Sequence, residues 1–253
     1  MNVPRLSGAI IHNSTFKIQN SSPRIPVFEL PDEHVFPRPE LAREDGLLAV
    51  GGDLDPERLM LAYSLGIFPW YSHPEPILWW SPDPRCVLYP DKLKISKSMR
   101  QVLKRGTFRV TFDRDFAGVI TACRAMERPG QHGTWITQEM LEAYLALHDM
   151  GVAHSVEVWN GEELAGGLYG LTLGSIFYGE SMFARESNAS KAGFITLVPL
   201  LARQGITLID CQTHTPHLES LGAEMVSGEQ FREELAAGMK VPSLFGDWGK
   251  LLG

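Results

Sequence analysis

The sequence predicts a mixed α/β protein of the α+β kind, in which a small irregular N-terminal domain precedes a larger, regularly patterned one. Two observations carry this. Up to about residue 90 the chain is rich in Pro, Gly and Trp, and its apolar runs are short. Beyond that point, alternating runs and helical repeats follow one another between recognisable start and stop signals. The expected divisions are a loose polar extension over 1–25, a small domain over 26–90 and a larger domain over 91–253.

Each element has a local reason. Residues 46–53 (GLLAVGGD) are an apolar run closed by a turn. Asp55 and Pro56 open a helix, because Asp accepts from free N–H groups and Pro at the first turn sacrifices none that is needed. Leu59, Leu61, Ala62 and Tyr63 continue it, and Gly66 ends it. Ser96 caps a helix that stops at Gly106. Residues 108–112 alternate as a strand, and a helix covers 116–126. Thr137 caps another helix running to Gly151. Residues 154–159 alternate, Asn160-Gly161 turns the chain, 164–173 returns, and Gly174-Ser175 turns it again into 176–183. A helix spans 189–203 with Asn188 as cap and Pro199 as a kink. Residues 206–211 form a last core strand, and a short helical segment follows near 217–221. The resulting order, β-α-α-β-β-β-α-β-α, resembles that of the N-acetyltransferase superfamily.

Composition narrows the function. The three cysteines, Cys86, Cys123 and Cys211, are too scattered for a disulfide framework, so a reducing, cytoplasmic setting is expected. No apolar run is long enough for a membrane span. The net charge of −7 argues against a nucleic-acid partner, but its distribution argues for one. Lys92, Lys94, Lys97, Arg100, Lys104, Arg105 and Arg109 occur with no acidic residue among them. A solvated face is the ordinary meaning of such a run, and an anionic backbone is the alternative. Trp70 and Trp135 sit in loop-like contexts suited to stacking an unpaired base, whereas Trp79 and Trp80 read as core.

The most informative segment is 208–212 (LIDCQ). Side chains at i and i+2 of a strand share a face, so Asp210 and Gln212 project together and Cys211 points away into the core. A second carboxylate, Glu180, lies in the strand segment 179–182 (GESM). Leu168, Phe177, Met182, Leu197 and Ile209 are apolar neighbours able to line a pocket beside these groups. Cys211, His214 and His217 have a spacing compatible with a metal or a Cys–His nucleophile, but no fourth ligand stands out, and neither is expected. Coenzyme A is disfavoured: the helix expected at 189 lacks the preceding glycines that phosphate binding needs, and Glu186 would repel the anion. Asn188 and Ser190 could be simple caps, while Arg185 and Lys191 could meet a different phosphate.

Ten motifs in order, GLLAVGGDL (46–54), GIFPWY (66–71), ILWWSPDPRCVL (77–88), GTWIT (133–137), HSVEVW (154–159), GGLYG (166–170), FYGESMFAR (177–185), NASK (188–191), LIDCQ (208–212) and SLGAE (220–224), resemble the leucyl/phenylalanyl-tRNA–protein transferase family. The resemblance runs from about Phe36 to Phe231. It implies a small N-terminal domain before a catalytic domain of the acyltransferase fold. It implies transfer of Leu or Phe, and of Met as a further donor, from aminoacyl-tRNA to a protein's N-terminal Arg or Lys, which marks the protein for degradation in the bacterial N-degron pathway. No cofactor is implied, and the family implies a monomer. By the same resemblance Trp70 and Trp135 contact the terminal adenosine, and Phe177, Met182 and Ile209 line the side-chain pocket. Leu168 stands where Met occurs in the family. Glu180, Asp210 and Gln212 fall in the catalytic region, and Lys92 to Arg105 fall where the tRNA acceptor stem is held. The sequence departs from the family in its first 25 residues and in lacking an Arg after the SLGA motif. A small-molecule N-acetyltransferase and a non-catalytic RNA-binding protein are the competing readings.

Overall fold

The computed structural model describes residues 17–19, 27–126 and 134–252. The first sheet contains β1 (Lys17–Gln19), β2 (Val27–Leu30), β3 (Leu47–Gly51), β4 (Phe68–Pro69) and β5 (Leu78–Trp80), in the order β1-β2-β3-β5-β4. The second contains β6 (Arg85–Leu88), β7 (Arg109–Phe112), β8 (Ala153–Asn160), β9 (Glu163–Leu173), β10 (Ile176–Ala184), β11 (Leu208–Gln212) and β12 (Glu224–Val226), in the order β12-β6-β11-β10-β9-β8-β7. The helices are α1 (Pro56–Ser64), α2 (Lys97–Arg105), α3 (Phe116–Ala125), α4 (Gln138–Asp149), α5 (Ala189–Arg203), α6 (Pro216–Ser220), α7 (Gly228–Gly238) and α8 (Trp248–Leu251). The change of sheet falls between Trp80 and Arg85, ahead of the boundary expected at residue 90. Residues 17–19, inside the stretch expected to be a loose extension, pair antiparallel with β2; the rest of 1–25 lies outside the described residues.

The expected element order appears as β7-α3-α4-β8-β9-β10-α5-β11-α6. Its start signals act locally. Asp55 Oδ1 accepts from Glu57 N at 2.8 Å, and Ser96 and Thr137 accept from Met99 N and Met140 N, both at 3.2 Å. Asn188 differs from expectation. It takes a left-handed conformation with φ 72° and makes no side-chain cap, leaving the start of α5 without side-chain satisfaction.

Period-two alternation decides which side of the second sheet each residue serves. Tyr178 and Leu208 face a core shared with α1, α3, α4 and the first sheet, whereas Phe177, Ile209 and Cys211 face the core beneath α2, α5 and α8. Close approach of α5 to the sheet depends on two glycines. A Cβ on Gly166 would come 2.7 Å from Ala189 Cβ, and one on Gly193 would come 2.7 Å from Val158 Cγ2. The C-terminal segment closes the same side. Trp248 is fully buried, stacks on His154 with ring centroids 4.0 Å apart, and backs Phe177 at 5.8 Å.

The N-terminal unit is held by one buried cation. Arg58 of α1 bonds Asp53 through Nε and Nη2, at 3.0 and 3.1 Å, and donates to the carbonyls of Pro31, Asp32 and Glu33. Replacing Arg58 by Met leaves those acceptors without their donor, and the loss should cost about 3 kcal/mol of unfolding free energy. Urea denaturation monitored by tryptophan fluorescence checks this; an unchanged midpoint would exclude Arg58 as the organiser of the unit.

Candidate active site

The site arises where two parallel strands part. β10 and β11 pair only through Ile176–Leu208, Phe177–Ile209 and Tyr178–Asp210. Beyond that level each strand carries a bulge: Glu180 is the extra residue of β10 against β9, and Cys211 that of β11 against β6. An extra residue bends a strand and re-aims its side chains. Gln212 accommodates the distortion with φ 63°, a left-handed conformation uncommon outside glycine.

Glu180 and Gln212 meet in the gap, with Gln212 Nε2 donating to Glu180 Oε1 at 2.9 Å. Tyr63 of α1 and Tyr144 of α4 donate to the two carboxylate oxygens at 2.7 and 2.8 Å, and the two phenols also hydrogen-bond each other. With Glu180 ionised both phenols donate to it; with Glu180 protonated its O–H donates to one phenol, that phenol donates to the other, and the other donates back to Glu180, so all three contacts are hydrogen bonds. Burial pushes the Glu180 carboxyl up to about 7, opposed by hydrogen bonds from Tyr63, Tyr144 and Gln212 and assisted by the charge of Asp210. A carboxyl in that range exchanges a proton readily near neutral pH.

Two cavities share this pair as a wall. The larger, about 510 Å³, is lined by Leu168, Phe177, Met182 and Ile209 on its apolar side and by Glu180 and Gln212 at one end. The smaller, about 120 Å³, is a cleft between Trp70 and Trp135, floored by Phe68 and Pro69 and again by Glu180 and Gln212. Trp135 is 6% exposed and Trp70 44% exposed. The Trp70 segment is fixed by Trp80, whose indole N–H donates to Trp70 O at 2.6 Å.

Two expected residues are not at these walls. Asp210 is fully buried, with both carboxylate oxygens taken by Arg85: Nε to Oδ1 at 2.8 Å and Nη2 to Oδ2 at 2.6 Å. Its Oδ1 also accepts from Gln212 N at 2.9 Å. Alternation gives Asp210 and Gln212 a common direction, but the bulge between them carries Gln212 out to the gap and leaves Asp210 beneath it. Leu197 is fully buried in the core under α5, and the α5 side chains that line the cavity are Ser190 and Phe194, the latter almost one turn before Leu197. Three functional candidates were not anticipated: Tyr63, Tyr144 and Arg85. Both tyrosines occupy apolar positions of helices and read as packing. Arg85 offered a usable signal, an ionisable residue in a strand buried at all four positions.

Cys211, His214 and His217 are engaged separately. Cys211 is buried, with its Sγ 3.9 Å from Ile209 O; His214 bonds Glu219 at 3.1 Å; and His217 lines the large cavity. Along the basic segment, Lys92 pairs with Glu224 at 2.6 Å and lies over the Tyr89 ring. Lys94, Lys97, Arg100, Lys104 and Arg105 are exposed, and among the described residues no carboxylate lies within ion-pair distance of them. No described helix is long and apolar enough to cross a membrane.

Comparison with known proteins yields a consistent result. The family model for leucyl/phenylalanyl-tRNA protein transferase matches residues 87–236, and the model for the N-terminal domain of that transferase matches 52–83. A leucyl/phenylalanyl-tRNA–protein transferase of Syntrophus aciditrophicus (strain SB) is 56% identical over 224 residues, covering 88% of this chain and 94% of the relative. One of Syntrophobacter fumaroxidans (strain DSM 10017 / MPOB) is 57% identical over 212 residues, covering 84% and 91%. Among solved structures, L-PGS from Bacillus licheniformis aligns with 75% of this chain and 65% of its own at 14% identity, with a TM-score of 0.35, a likeness from which no fold assignment follows.

The environment of Glu180 can be measured directly. Its carboxyl ¹³C resonance should titrate with a midpoint near 7, and the midpoint should rise in Tyr144→Phe, which removes a donor to the ionised form. Between the unperturbed carboxyl value of about 4.3 and the folded value near 7, the folded chain holds a proton that the unfolded chain lacks. The contribution of this group to stability is therefore full below that window and declines as pH rises through it. Glu180→Gln should abolish that part of the decline in the pH dependence of unfolding, and a native midpoint near 4 would contradict the assignment.

Proposed function

Because the chain belongs to the leucyl/phenylalanyl-tRNA protein transferase family, we propose that the gap between β10 and β11 is where it moves Leu or Phe from aminoacyl-tRNA to the N-terminus of a protein. The observation that carries this reading is the shared wall: Glu180 and Gln212 border both an apolar cavity and a tryptophan-lined cleft. An aminoacyl adenosine has the corresponding two parts, an apolar side chain and a stacking base, joined by an ester that would lie at Glu180 and Gln212. Trp70 and Trp135 take the adenine by stacking. Leu168, Phe177, Met182 and Ile209 take Leu, Phe or Met. The exposed basic side chains from Lys92 to Arg105 hold the RNA backbone, with Lys92 the weakest contributor because Glu224 already neutralises it.

The reaction is aminolysis of an activated ester. The acceptor's α-amine, with an unperturbed pKa of about 7.7–8.0, is partly neutral near physiological pH. Its nitrogen bonds to the ester carbon, the bond from that carbon to the ribose oxygen breaks, and a proton passes from nitrogen to the departing oxygen. Glu180, titrating near 7, is suited to accept that proton and return it. The Gln212 amide, tethered to Glu180, orients the amine, and orientation lowers the barrier without a strong base. Asp210 is a positioning residue: with Arg85 it holds the Gln212 backbone N–H and so the direction of the Gln212 side chain. No covalent enzyme intermediate is needed. The preferred acceptors are proteins beginning with Arg or Lys, whose positive charge suits the carboxylate at the junction. The chain works as a cytoplasmic monomer, with the first sheet as a small N-terminal domain that supplies Trp70 to the donor site.

Incubation with radiolabelled Phe-tRNA and an Arg-initiated peptide tests the reading; label that stays on the tRNA would exclude it. In the same assay Gln212→Ala should lower kcat by more than about ten-fold with tRNA affinity retained. Neutralising Lys97, Arg100 and Lys104 together should weaken tRNA binding and reduce the slope of log affinity against log salt by about two to three. Unaltered salt dependence would leave that helix as a solvated face.

A further inference from the structure

The large cavity has a polar rim that the reaction scheme above does not use. Ser190 is 8% exposed and lines the cavity, and among the described residues no group hydrogen-bonds its Oγ. Its hydroxyl is open to the cavity and available to bond a ligand there. On the facing segment His217 lines the same cavity, and its Nε2 is buried without a partner. Burial, and then the charge of Lys191, hold the imidazole below its ordinary range. Ser190 and Lys191 lie in the first turn of the 15-residue helix α5, whose Asn188 makes no side-chain cap, while His217 comes from α6 across the cavity. The opening N–H groups of such a helix favour an anion. Glu186, the acidic residue next to this turn, is drawn off by Asn160 Nδ2, which donates to its two oxygens at 3.1 and 2.9 Å.

We infer that Ser190, Lys191 and His217 form a phosphodiester subsite that grips one of the last two backbone linkages of the RNA donor. A hydroxyl, an ammonium and an imidazole N–H are all donors, and the helix start adds more, a set that matches phosphate oxygens. Location supports the same ligand. On another face of α5, Ala192 and Thr196 share a groove with Val102 and Leu103 of the basic helix α2. The same cavity is bordered by Glu180 and Gln212. The ribose ester is proposed to lie at Glu180 and Gln212, so the linkages next to that ribose are the ones within reach of Ser190 and His217.

The inference rests on the proposed donor, and its test separates the two. Phe-tRNA is prepared with a neutral methylphosphonate at the last internucleotide linkage and, separately, at the linkage before it. The native protein should bind one of these species about ten-fold more weakly than the natural donor, the effect of losing a charge-assisted contact. In Lys191→Gln and His217→Gln the same chemical change should cost markedly less, because the partner is already missing. Equal losses in native and variant proteins, or none in either, would overturn the subsite, as would coupling of these residues to the acceptor peptide instead. Lys191 is only partly buried, so its variant keeps the test valid if His217→Gln fails to fold. Intact coupling in binding without any transfer of label would overturn the donor chemistry and leave the subsite standing.

Discussion

The rest of this structure depends on a buried ion pair. Arg85 and Asp210 are both out of solvent, joined by two parallel hydrogen bonds across β6 and β11. Phe68 and Phe231 cover the guanidinium at 4.8 and 4.7 Å. A charge in such a setting is tolerable only while its partner stays in place, because the desolvation of each is repaid by the other. The pair thus ties four parts of the chain to one spot: the first sheet through Phe68, the second through its own two strands, and α7 through Phe231. It also reaches the site, since Asp210 accepts the backbone N–H of Gln212 and so supports that residue's left-handed conformation. Removing either charge would disturb the fold and the aim of Gln212 together.

Above that anchor the sheet opens, and the opening is what makes a site. Parallel neighbours that stayed paired would direct alternate side chains into packed core. Two bulges at one level accompany the end of the β10–β11 pairing and let helices from distant parts of the sequence reach Glu180 beside Gln212. Tyr63 comes from α1 and Tyr144 from α4, and Tyr178 Oη donates to the Tyr63 carbonyl at 2.9 Å to hold α1 against the sheet. The outcome is a carboxyl whose proton affinity is set by burial against three donors. A group poised near 7 suits an ester aminolysis in which the amine must shed a proton and the departing oxygen must gain one.

Charge is divided between two tasks. The chain carries a net −7, yet α2 is a basic face with exposed Lys and Arg side chains. The rest of the chain is net acidic, so the strip favours one orientation of a bound RNA strand over others. On the proposed reading the apolar cavity sorts the donor by its side chain and the tryptophan cleft takes the base, so that electrostatics guides the approach while packing and stacking define the final position.

Much of this was legible in the sequence, for a physical reason. Caps, turns and periodicity act over a few residues, so the order of elements from β7 to α6 could be read directly, as could the loop contexts of Trp70 and Trp135 and four of the five apolar residues expected at the cavity. Depth was not legible. Alternation assigns Asp210 a face but says nothing of how far beneath the surface it lies, and helical spacing cannot tell that Phe194 rather than Leu197 reaches the cavity. Asn188 looked like a cap because its residue type favours capping, but its left-handed backbone turns the side chain away from that role. Tyr63 and Tyr144 looked like packing because their hydroxyls acquire a purpose only beside a carboxylate from another strand. Local chemistry is written along the chain and survives being read in one dimension. Burial, and with it proton affinity and partner choice, comes only from residues far apart in sequence meeting at one place.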